Sequence, residues 1–198
     1  DGDGDGSCDA RQVSAHHQDD AKLADRVSKA QDGTGDDAVL GQGQGDPAEG
    51  REGVGAEIMG AGMFGFHTFP DDPNWKGWWG DEPPFRVPVF VLTHRKLESF
   101  EMAGGTTFHF VTATPPEVLE QATAVAGGKD VRVGGGISTV QKFLKAGLVD
   151  QLHVAIAPIL LGRGINLWDD LRGFEDGYQV HAETAESSTV HVTFTRTP

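Results

Sequence analysis

"DVRVGGGISTVQKF" (residues 130–143) places three consecutive glycines between an alternating apolar run and the first turn of a predicted helix. Glycine in a strand-to-helix turn costs conformational entropy, so three in succession need a reason. One reason is tight packing of helix on sheet; the other is a ligand held against bare backbone.

The flanking sequence repeats the strand-then-helix pattern. "PVFVLTHR" (88–95) is a strand candidate, because Val89–Leu92 is a continuous apolar run of the kind buried on both sheet faces. "TTFHFVTA" (106–113) alternates, with Phe108 and Phe110 on one face. Thr114 and Glu117 have capping-box spacing, Pro115 suits the first helical position and Gly127 suits the C′ position, so a helix is predicted between them. In "STVQKFLKAG", Val140, Phe143 and Leu144 share a helical face and Gly147 ends it. "DQLHVAIAPILLG" reads as an apolar strand stopped by Pro158, and "YQVHAET" with "STVHVTFTR" as an antiparallel hairpin. This order predicts an α/β fold: a mainly parallel sheet flanked by helices, with a C-terminal antiparallel hairpin at its edge.

The N-terminal stretch differs. Residues 1–55 hold thirteen Asp/Glu against five Lys/Arg and no aromatic residue. Such a composition buries too little apolar surface to offset chain entropy, so an acidic, Gly-rich segment over 1–52 is expected to be largely mobile, beside a folded domain over 53–198. A short helix over "DDAKLADRVSKA" (19–30) is the one element it suggests. The net charge of −14 argues against nucleic acid or an anionic membrane as partner. One cysteine cannot form an internal disulfide, and no run is long and apolar enough for a membrane span, so a cytoplasmic location is expected.

In parallel α/β sheets, ligands gather at the carboxyl ends of strands beside helix N-termini. Gly134, Gly135 and Gly136 stand at such a point, and Ser138 and Thr139 add hydroxyls in the following turn. The exposed N–H groups of a helix start suit a phosphate. The pattern is neither a P-loop nor G-x-G-x-x-G, since Thr139 stands where the third glycine would be. Thr93, His94 and Arg95 follow another strand and offer a hydroxyl, an imidazole and a guanidinium. Gly60 and Gly62 follow a third apolar run.

The stretches "AEIMGAGMFG", "WWGDEPPFRVPVFVLTHR", "GGTTFHFVT" and "DVRVGGGISTVQKFLKAGLVDQLHVAIAPILLGRGINLW" resemble the dihydrofolate-reductase-like proteins related to the reductase domain of riboflavin biosynthesis. The resemblance runs from about residue 53 to the end. It implies a sheet that binds NADPH, a homodimer, and reduction of a small heterocyclic or carbonyl substrate. It also implies cofactor-binding roles for Gly134–Gly136 with Ile137, Ser138 and Thr139, for Thr93–Arg95, and for Gly60, Gly62 and Met63. Two departures stand out. Ala61 replaces a common Arg, and the family's opening strand with its Ser-Leu-Asp-Gly type segment has no recognisable counterpart in residues 1–52. The alternative is therefore a cofactor-binding or dimeric scaffold without turnover, and no proton donor is assigned.

Weaker signals have plainer explanations. "DGDGDG" spaces Asp1, Asp3, Asp5 and Gly6 like half a calcium loop, but Gln12 replaces the required Glu. His16-His17 and Cys8 read as solvated residues, and His153 as a core or interface residue. Trp75, Trp78 and Trp79 read as packing or interface rather than a substrate wall.

Overall fold

The computed structural model describes residues 53–69 and 72–198. The expectations for residues 1–52, including the helix over 19–30, the DGDGDG run, Cys8 and His16-His17, fall outside the described residues. The strands are β1 (Val54–Gly60), β2 (Pro88–Leu92), β3 (Phe100–Glu101), β4 (Thr107–Val111), β5 (Asp130–Gly135), β6 (Gln151–Ile156), β7 (Tyr178–Thr184) and β8 (Val190–Arg196). The helices are α1 (Ala61–Phe64), α2 (Pro115–Val125) and α3 (Ile137–Lys145).

Five strands form one sheet in the order β3-β4-β2-β1-β5. β4, β2, β1 and β5 run parallel, and β3 is antiparallel to β4. β1 is buried along its whole length, as a strand covered on both faces must be. Ala56 and Ile58 of β1, Phe90 of β2 and Val131 and Val133 of β5 face Val118 and Ala122 of α2 and Phe143 and Leu144 of α3. On the opposite face, Met59, Val89, Val91 and Phe108 meet Phe64, Phe66 and Phe85.

Aromatic packing dominates that second face. The Phe64 ring lies edge-on to Phe108 and Phe110, each at 5.2 Å between centroids. Trp79 stacks on Phe108 at 6.0 Å, and the Trp75 indole donates to the Phe64 carbonyl at 2.7 Å. Trp75 and Trp79 are therefore packing residues, whereas Trp78 is half exposed.

α2 begins as its sequence predicts. The Glu117 carboxylate accepts both the Thr114 N–H and the Thr114 hydroxyl at 2.7 Å, and Gly127 has φ +64° just beyond the end.

The terminal hairpin forms as expected from β7 and β8, but not at the edge of the parallel sheet. β6 pairs with β8 rather than with the parallel sheet, giving a separate antiparallel sheet in the order β6-β8-β7. β6 also ends at Ile156, two residues before Pro158. Among the described residues β5 and β6 each have one strand partner. The two sheets share one apolar core through α3, since Phe143 and Leu144 cluster with Leu152 of β6 and Phe194 of β8. Arg196 adds a polar tie, donating to the carbonyls of Gly147 and Val149 at 2.7 and 2.8 Å while pairing with Asp150. Tyr178 donates to the same Val149 carbonyl at 2.5 Å, and burial raises its pKa above the ordinary tyrosine value. His153 is half-buried and hydrogen-bonded to His191 at 3.0 Å across the antiparallel sheet. No helix among the described residues is long and apolar enough to cross a membrane.

Two tests follow from this packing. Phe108→Ala should destabilise the domain by roughly 3–5 kcal/mol, the usual range for a buried phenylalanine, as read by chemical denaturation. The hydrogen bonds from the Thr114 backbone and side chain hold the Glu117 pKa below its ordinary value. Their stabilising contribution is thus complete above the ordinary carboxylate pKa and is lost as pH falls through the depressed one. The stability difference between wild type and Glu117→Gln should accordingly shrink between pH 7 and pH 3; a constant difference would contradict this account.

Candidate functional site

Parallel pairing puts the carboxyl ends of β2, β1 and β5 side by side. Gly60 lies opposite Leu92, and Met59 opposite Gly135. The three segments singled out in the sequence therefore meet at one sheet edge: Gly60–Met63 after β1, Thr93–Arg95 after β2, and Gly134–Thr139 at the β5–α3 junction.

The three consecutive glycines have three different reasons. Pairing between β1 and β5 runs Glu57–Arg132 and Ile58–Val133, then steps to Met59–Gly135. Gly134 is thus an extra residue in β5, a bulge that redirects the chain. A Cβ on Gly134 would collide with the Glu57 carboxylate. That carboxylate is itself fixed, because Arg132 Nη2 donates to both of its oxygens at 2.9 and 2.8 Å. Gly135 needs glycine for its backbone, with φ +121°. The Gly135–Gly136 peptide is cis.

Gly136 is different. Its φ of −62° and ψ of −179° suit any residue, and among the described residues a Cβ there would meet nothing within 4 Å beyond its chain neighbours. Neither its φ and ψ nor a contact with a described residue beyond its chain neighbours asks for glycine at this position. Gly136 caps α3 without a side-chain hydrogen bond. Its carbonyl accepts the N–H groups of Thr139 and Val140 at 2.9 and 3.0 Å. The amides of Ile137 and Ser138, in the first turn, have no intrahelical acceptor. Ser138 is exposed, while Thr139 is buried against Gly60, where an added Cβ would strike its hydroxyl oxygen. Gly60 and Thr139 therefore lock β1 to α3.

The second segment is held by its own hydrogen bonds. The Thr93 N–H donates to Val111 at 2.9 Å, and its carbonyl accepts the Thr112 hydroxyl at 2.6 Å. The Thr93 hydroxyl accepts the Arg95 N–H at 3.1 Å. This turn leaves His94 and Arg95 exposed beyond the sheet edge. The Arg95 guanidinium lies over the Phe66 ring, 4.8 Å from its centroid, a contact that helps orient it. Gly62 is exposed beside the His67 ring, and Met63 packs partly into the aromatic cluster. Met63 thus has a core role whatever else it touches.

The residues sequence reasoning passed over are Glu57, Arg132 and Phe66. Glu57 sits within the apolar run "AEIM" and is 1% exposed, so a buried carboxylate requiring a partner was the available signal. Elsewhere, an open groove lined by Trp168, Leu171, Phe174 and Phe194 lies against the antiparallel sheet and includes none of the site residues. Among the described residues no group of three His, Cys, Asp or Glu could hold a metal ion.

An edge built of a bare glycine, a free helix start and a ring-mounted guanidinium is suited to an extended anionic ligand, and the relatives of this chain agree in fold. The putative riboflavin biosynthesis protein of Shewanella sp. PV-4 superposes with a TM-score of 0.53 at 23% identity, over 75% of this chain and 77% of the other. Dihydrofolate reductase of Enterococcus faecalis, whose structure contains NADP(H), gives a TM-score of 0.45 at 13% identity, over 75% and 79%. The uncharacterized protein YyaP of Bacillus subtilis (strain 168) is 33% identical over 67 residues, which is 34% of this chain. That alignment spans 36% of the Bacillus protein, about a third of its length. The model of the RibD C-terminal domain matches residues 20–193, beginning within the acidic Gly-rich segment. Because that match spans well over half of the chain, the chain belongs to the RibD C-terminal domain family, and it shares the fold of the Shewanella protein.

Proposed function

We propose that this chain is an NADPH-dependent reductase of a small heterocyclic or carbonyl compound, of the riboflavin-biosynthesis-reductase type. The observation that carries this reading is Gly136, a glycine with ordinary dihedrals and open space where a side chain would point. Gly135 and Gly136 with the amides of Ile137 and Ser138 would hold the pyrophosphate, with no side chain to keep it from the backbone. Thr93, His94 and Arg95 would hold the adenosine end, with Arg95 on Phe66 as the cation for a 2′-phosphate. Because Ala61 brings no charge, Arg95 carries more of the discrimination between NADPH and NADH. The nicotinamide, when bound, supplies the hydride; the protein's part is binding and orientation. Family membership supports the reductase class.

A second reading, cofactor binding without turnover, draws on the single strand partner of β5 among the described residues. Fluorescence titration with NADPH, followed by oxidation assays with pteridine-like and carbonyl compounds, separates the two. Micromolar binding with consumption supports the reductase, binding without consumption supports the second reading, and no binding removes both.

The glycines give a sharper test. Gly136→Val should leave the domain folded, at a cost of about 1 kcal/mol for the poorer cap of α3, yet weaken NADPH binding at least tenfold. Gly134→Ala should instead destabilise the fold by about 1–3 kcal/mol, the usual cost of overpacking, because its methyl group meets the Glu57 carboxylate. Equal NADPH affinity in wild type and a folded Gly136→Val would contradict the cradle.

We further propose a homodimer. The 157–168 connection exposes Leu160, Leu161 and Ile165, with Leu160 96% exposed, which suits a self-association surface. Light scattering should give twice the chain mass for the wild type and the single mass for Leu160→Asp with Leu161→Asp.

A further inference from the structure

β1 and β5 are built of Val, Ala, Ile, Met and Gly apart from a few residues, yet each brings one charge into the interior. Glu57 is 1% exposed, and the Arg132 side chain 12%. An ion pair so placed is a poor stabiliser compared with an apolar pair of similar volume, because both ions give up their hydration. Among the described residues the Arg132 Nε is also buried without a hydrogen-bond partner, which adds a further cost. Stability therefore does not explain the pair, and its position offers another explanation. Glu57 and Arg132 are register partners, and the β5 register steps at Gly134, two residues further on. The Glu57 carboxylate occupies the place a side chain on residue 134 would fill. Arg132 closes on both carboxylate oxygens, so the group cannot rotate out of that place.

We propose that Glu57 and Arg132 are a positioning pair, which pins the bulge at Gly134 and thereby sets where Gly135, Gly136 and the start of α3 stand. Neither residue touches the ligand. Regular pairing would set residue 134 opposite Met59 and carry the chain past Gly60 on a different line. With the carboxylate seated over Gly134, residue 135 takes that place instead, and the helix start is presented at the common edge of β1 and β2. The prediction for cofactor affinity rests on the reading of this turn as an NADPH cradle; the prediction for register does not.

The test replaces the pair by apolar side chains, Glu57→Leu together with Arg132→Leu, and measures three things. Thermal unfolding should show a melting temperature at or above that of the wild type, as expected when a buried pair is replaced by packed side chains. NADPH titration should show a dissociation constant raised at least tenfold. A crystal structure of the ligand-free variant should show the extra residue at 134 lost or moved along β5. If the leucine pair does not fold, Glu57→Gln with Arg132→Met serves in its place. An unaltered Met59–Gly135 register overturns the proposal, whatever the affinity. A shifted register with unchanged NADPH affinity also overturns it, since the bulge would then not govern binding. If the wild type itself does not bind NADPH, the cofactor reading fails, and the register alone decides whether the pair positions the turn.

Discussion

One extra residue in β5, set against β1, governs the geometry of the whole carboxyl edge. Without it, residue 134 rather than Gly135 would stand opposite Met59. With it, Gly135 turns through a positive φ, Gly136 caps α3, and Thr139 comes down onto Gly60. The same helix then carries Phe143 and Leu144 across to the antiparallel sheet, so the shared core also depends on where α3 begins. A buried ion pair stands beside the bulge, and the candidate ligand groups stand just beyond it.

The electrostatics of the edge run against those of the chain. The proposed ligand, NADPH, is an anion and the protein carries −14, so the long-range field would not favour the encounter. Attraction has to come from groups close to the ligand, where distance and partial desolvation outweigh the screened background. In the proposed reading the start of α3 and the Arg95 guanidinium, which lies over the Phe66 ring, would supply it. The excess negative charge belongs largely to residues 1–55.

Much of this was legible in the sequence because it is local. The capping box at Thr114 and Glu117, the helix ends at Gly127 and Gly147, and the turn at Gly134–Gly136 depend on neighbours a few residues away. What stayed hidden depends on which strands lie side by side. Glu57 and Arg132 are 75 residues apart and become partners only because β1 and β5 are adjacent. Likewise, an apolar run identified β6 and alternation identified β7 and β8 as strands, but neither said which sheet would take β6. Three glycines look alike in a sequence; only the structure separates the one excluded by Glu57, the one set by φ and the one facing open space.

In the proposed reading, Gly136 and the first amides of α3 are where backbone would meet ligand. Amide chemical shifts from 15N-labelled protein, followed as NADPH is added to saturation, test this most directly. The account predicts that Gly136, Ile137 and Ser138 show the largest changes, together with the Arg95 side chain, while the groove around Trp168 and Phe194 stays still. Saturation with the largest changes away from the β5–α3 junction, or no change at millimolar NADPH, would contradict it.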